Sequence, residues 1–79
     1  MIVYHWTSKE CAASILKYGL HKGSFVCKKE DDWHGEVCLE IDLPYDIDWD
    51  IRDQHATWQA VVFHHVYPLQ IHIVAVKQV

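Results

Sequence analysis

Glycine and proline are scarce in this chain of 79 residues, three and two respectively, and charged residues make up 23%. That composition excludes a flexible linker or a disordered segment. No apolar run approaches the ~20 residues of a membrane-spanning helix. Met1-Ile2-Val3 lacks the charged opening of a secretory signal, so the expectation is a soluble, cytoplasmic protein without a membrane partner. Three cysteines, Cys11, Cys27 and Cys38, form no Cys-x-x-Cys pair, and an odd number cannot all pair internally; reduced thiols are expected. Positive charge is also short, with 7 Lys and Arg against 11 Asp and Glu, a net charge of −4. Nucleic acid is therefore not the expected partner, because non-specific affinity for a phosphate backbone needs a cationic surface. Seven histidines are many for this length, yet no His-x-x-x-His occurs on a helical stretch. His64-His65 would point to opposite faces of a strand, so no metal site is expected.

What is present is ample apolar material, 51% of the residues. A chain this short buries only about 60 to 65% of its unfolded surface, which is enough for one modest core and hence one domain spanning 1–79. Ile2-Val3-Tyr4-His5 is β-branched and aromatic and reads as a strand. Thr7, with Glu10 three residues on, has the Thr-x-x-Glu pattern of a capping box and predicts a helix from Ser8. Ala12, Ala13, Ile15 and Leu16 supply its apolar stripe. Gly19 suits its left-handed end, with Leu20 folding back on Ile15.

The rest reads as sheet. Ser24–Cys27 is a short strand candidate, and Glu36–Asp42 alternates with Val37, Leu39 and Ile41 on one face. Tyr45, Ile47, Trp49 and Ile51 alternate with Asp46, Asp48, Asp50 and Arg52, as an edge strand or an extended arm. Trp58–Phe63 is the most apolar stretch and is expected at the centre of the sheet. Pro68 marks a break before the last strand, Ile71–Val76. The fold class is therefore α+β, one N-terminal helix packed on a mostly antiparallel twisted sheet of about five strands.

Candidate chemistry concentrates at the first junction. Cys11 falls in the first helical turn, where the dipole favours a thiolate, but none of the cysteines sits in a recognisable nucleophile context, and all three are expected as small buried hydrophobes. Tyr4-His5-Trp6-Thr7-Ser8, followed by Ala13-Ser14-Ile15-Leu16-Lys17-Tyr18-Gly19-Leu20, resembles the opening of ADP-ribosyltransferase-like domains, where a His-x-Thr strand precedes a helix ending in Ile-Leu-x-x-Gly-Leu. Trp58–Phe63, Val66-Tyr67-Pro68 and Ile71 are similar to the family's late strand, Pro-containing turn and final strand. The resemblance implies that His5 and Thr7 hold the ribose and dinucleotide of NAD, with Trp33 as the aromatic that stacks on nicotinamide. It also implies a catalytic glutamate at the start of the late strand, and Gln59 occupies that position. An amide lacks the charge that stabilises an oxocarbenium-like transition state, and loss of such a group typically costs ~10² to 10³ in rate.

Two readings follow. One is a small non-catalytic ADP-ribosyltransferase-like module that binds a nucleotide or a protein partner, of the kind a phage uses to inhibit a host system. Asp46, Asp48 and Asp50 would then face a basic protein partner. The alternative is a minimal NAD-dependent mono-ADP-ribosyltransferase acting on a macromolecule.

Overall fold

The computed structural model describes residues 1–47 and 59–77. One helix packs on a five-stranded antiparallel sheet, so the protein is α+β with its helix near the N-terminus. The strands are β1 (Ile2–Thr7), β2 (Phe25–Cys27), β3 (Val37–Asp42), β4 (Gln59–Val61) and β5 (Ile71–Val76), in the spatial order β4-β2-β1-β3-β5. The helix α1 spans Lys9–Tyr18. Short 3-10 turns occupy Glu30–Asp32 and Pro68–Gln70, the first being all that the segment between β2 and β3 accommodates. Among the described residues no helix is long and apolar enough to cross a membrane.

The strand-to-helix handover differs by one residue from the sequence expectation. Thr7 pairs with Val37, so its backbone belongs to β1 and the cap passes to Ser8. Ser8 is extended, and its Oγ accepts from the Cys11 N–H at 3.2 Å. Glu10 does not close a capping box; in the first turn its charge still favours the helix dipole. Ala12 is buried and Ile15 and Leu16 are half-buried, whereas Ala13 is exposed, because i, i+3 and i+4 face the sheet and i+1 turns away.

At the other end the Gly19 N–H donates to Ile15 O at 2.7 Å, and Gly19 takes φ 94°, ψ 176°. Leu20 then leaves the helix instead of closing a Schellman motif. It exchanges two backbone hydrogen bonds with Val66, both 2.8 Å, which staples the helix exit to the segment before β5.

The inner face of the sheet follows from pairing. Val3, His5 and Thr7 stand opposite Ile41, Leu39 and Val37 and share a face with them. Val3, Leu39 and Ile41 are wholly buried and join Ala12, Leu20, Val26, Ala60, Val62 and Ile71 in the core. Trp58–Phe63 does not form the central strand. Of its described residues Gln59–Val61 form a strand at one edge, with Ala60 and then Val62 turned inward while Phe63 is exposed; Trp58 lies outside the described residues. Continuous apolarity mixed both faces; the centre belongs to β1, whose polar residues are accommodated beside α1 and beneath a loop.

That loop covers the outer face. Trp6 donates its indole N–H to Glu30 O at 2.6 Å, and the Cys27 thiol reaches Lys29 O at 3.3 Å, drawing 29–30 over Tyr4, Trp6 and Cys38. Cys38 is fully buried opposite Trp6 and Cys27 is buried too, as expected of small hydrophobes, whereas Cys11 on the helix is exposed and departs from that expectation. Burial pushes the Cys38 thiol up to about 12, and Glu30, Cys27 and Glu40 add to the shift.

Two outcomes follow from these contacts. An added Cβ at Gly19 would collide with Val66 O, at a φ that L-residues avoid. Gly19→Ala is expected to lower unfolding stability by at least the ~1 to 3 kcal/mol of a disfavoured backbone, measured in urea. The folded Cys38 thiol keeps its proton where the unfolded chain has lost it. Its contribution is thus intact below the ordinary value of 9.0 and is lost as pH rises toward about 12. Urea titrations across that window should show a steep alkaline fall, and Cys38→Ala should flatten its slope, whatever that variant's stability at neutral pH.

Candidate functional site

The site is built on a split between two strands. β1 and β2 meet in register at Tyr4↔Cys27, and continuing the ladder would bring Phe25 opposite Trp6. Ser24 O accepts from the Val62 N–H on the β4 side at 3.0 Å, so alternation turns Phe25 O toward β1. There it meets the His5 ring, with Nδ1 at 2.6 Å. The carbonyl is an acceptor only, so Nδ1 carries the proton and donates. In the neutral ring Nε2 is then left as an acceptor.

Cavities flank this bridge. The larger, about 270 Å³, lies on the helix side and is lined by His5, Thr7, Cys11, Ser14, His21 and Ser24 among others. The smaller, about 70 Å³, is lined by Tyr4, Trp6, Phe25, Cys27, Trp33 and Gln59, with His5 again contributing. Cys27 pairs with both Tyr4 and Gln59, which puts those three on the outer face, across the sheet from Thr7.

The residues singled out from sequence therefore fall into groups. His5 and Thr7 line one cavity, Trp33 and Gln59 line the other, and His5 borders both. Trp33 is thus beside Gln59 and apart from Thr7. The cavity of about 70 Å³ has room for roughly two waters, too little for a stacked nicotinamide. Thr7, freed from capping, contributes to the cavity wall. Asp46 is exposed, 3.8 Å from the Met1 amino group, while Asp48 and Asp50 lie outside the described residues.

Sequence reasoning missed Ser14, His21 and Ser24. Ser14 had a signal, since Cys11, Ser14 and Ile15 share one helical face at i, i+3 and i+4. His21 and Ser24 come from the irregular link to β2, where no periodicity marks them. His21 is further placed by the His65 ring, 5.4 Å away between centroids, and His65 Nε2 is 2.9 Å from Tyr18 O at the helix end.

The electrostatics are weak on the inner side and acidic outside. Among the described residues no Asp or Glu lines either cavity. On the outer face the Tyr4 hydroxyl is raised from its ordinary value by burial first, then by Glu40 and Glu30. Among the described residues no group of three or more His, Cys, Asp or Glu side chains is arranged to hold a metal ion. Compared with known proteins, the chain matches no family model, no curated protein and no solved structure.

Proposed function

We propose that this protein is a non-catalytic nucleotide-binding module of the ADP-ribosyltransferase-like type, which holds a ribose of ADP-ribose or NAD in the cavity beside His5 and Thr7. The observation that carries the reading is the joint presence there of an imidazole pinned through Nδ1 and three hydroxyl side chains, Thr7, Ser14 and Ser24. A ribose presents vicinal hydroxyls that both donate and accept. His5 Nε2 takes a proton donor, and the three side-chain hydroxyls adapt to either role. At about 270 Å³ the cavity is just below the usual 300 to 1,000 Å³ of small-molecule sites, which suits a sugar or nucleoside fragment with the remainder of the dinucleotide outside.

The non-catalytic part rests on charge. Departure of nicotinamide leaves a developing cation on the ribose, and its stabilisation calls for a carboxylate. Gln59 offers an amide on the outer face, and the lining of both cavities is free of acids among the described residues.

Titration of ADP-ribose into the ¹⁵N-labelled protein tests the binding. Saturable shifts are expected at His5, Thr7, Ser14 and Ser24, with affinity reduced roughly tenfold by His5→Ala and less by Thr7→Val, in keeping with the loss of one polar contact in each case, the weaker at the Thr7 hydroxyl. A flat titration, or shifts confined to the outer face, overturns the nucleotide site. Incubation with NAD alone and with cell extract should leave NAD intact; its steady consumption, abolished by His5→Ala, would establish an enzyme instead.

A further inference from the structure

A third depression, about 510 Å³, opens on the outer face at the far end of β1 and is distinct from the ribose cavity. Trp6, His34, Glu30, Asp31 and the stretch Ala75–Lys77 enclose it. Trp6 is held there by its bond to Glu30 O, and Gly35 lets the following chain lie against β1, since a Cβ there would be 3.2 Å from that of Trp6. The indole is fixed before any ligand arrives.

A cation already occupies this ring. Lys77 Nζ lies 5.7 Å from the Trp6 ring centroid and 3.1 Å from His34 Nδ1. An ammonium over an indole face is attracted by the ring quadrupole. Yet Lys77 reaches no carboxylate: Glu30 and Asp31 are exposed and form no ion pair among the described residues. Two acids without an ion pair among the described residues, together with an aromatic face, exceed what one lysine satisfies.

We infer that this groove docks a lysine or arginine side chain from a basic segment of a partner protein, with Lys77 as its internal occupant in the free state. Charge selects the partner: the chain carries −4 overall, and Glu30 and Asp31 supply the local field that Lys77 leaves unused. The incoming cation takes the indole face and pairs with the carboxylates, and Lys77 swings into solvent. Lys77 therefore acts as a competitor whose removal tightens binding.

An octa-lysine peptide, with its fully acetylated form as a neutral control, probes the groove in low-salt buffer. The Trp6 indole N–H resonance, assigned with Trp6→Phe, should shift saturably with the cationic peptide alone. Lys77→Gln should tighten binding about two- to five-fold, the factor set by one exposed cation–π contact. Lys22→Gln, an exposed substitution with the same change in net charge, should leave affinity nearly unchanged. Paired neutralisation by Glu30→Gln and Asp31→Asn should weaken it. Equal tightening by Lys22→Gln and Lys77→Gln would reduce the effect to net charge and overturn the inference. So would a Trp6 signal that moves with protein concentration in the absence of peptide, which assigns the groove to a second copy.

Discussion

The hydrogen bond between His5 Nδ1 and Phe25 O is the contact on which the functional architecture depends. A continuous ladder between β1 and β2 would satisfy that carbonyl with a backbone N–H and close the sheet. The imidazole takes the donor's place, so the strands separate beyond Tyr4↔Cys27 while the carbonyl stays paired. The same bond fixes the ring and presents Nε2 as an acceptor. Opening a sheet without stranding a polar group, and orienting a histidine, are thus one event.

The surrounding fold explains why this opening is stable. β3 pairs with β1 along all six residues from Ile2↔Asp42 to Thr7↔Val37, so the central strand is anchored on the side away from the split. On the inner face α1 covers the core through Ala12, and the staple between Leu20 and Val66 holds the exit of the helix above the cavity. On the outer face the turn at Glu30–Asp32 is held down by Trp6 and buries Cys38. Among the described residues the two faces then carry opposite chemistry: hydroxyls and imidazoles without acids inside, and aromatic rings bordered by carboxylates outside. A neutral polyol suits the first and a cation suits the second.

Much of this was legible in the sequence, for reasons local to particular residues. The helix was readable because Ser8, Ala12, Ile15, Leu16 and Gly19 encode its start, stripe and stop within a dozen positions. The one-residue error at the cap arose because Thr7 and Ser8 are equivalent as caps, and only pairing with Val37 commits Thr7 to the strand. The alternation in β3 was readable for its inner face, and Cys38 was read as a buried thiol from its chemistry, but its cover, a turn whose docking rests on Trp6, had no sequence signal. β4 was misplaced to the centre because apolarity alone does not encode strand order. His5 and Thr7 were singled out by their junction, but that His5 borders both cavities while Thr7 lies across the sheet from Gln59 had no sequence signature. Phe25 contributes a carbonyl, which any residue would have.

The central claim, that His5 replaces a backbone donor and thereby makes the cleft, is tested most directly by the nitrogen chemical shifts of its imidazole. Long-range ¹H–¹⁵N NMR of the ligand-free protein, with the signal assigned by His5→Gln, should show a protonated Nδ1 and a bare, acceptor-type Nε2 in a single slowly exchanging tautomer. A neutral ring with its proton on Nε2 and a bare Nδ1, or an even mixture of the two tautomers, would mean that Phe25 O is not its partner and would contradict the account.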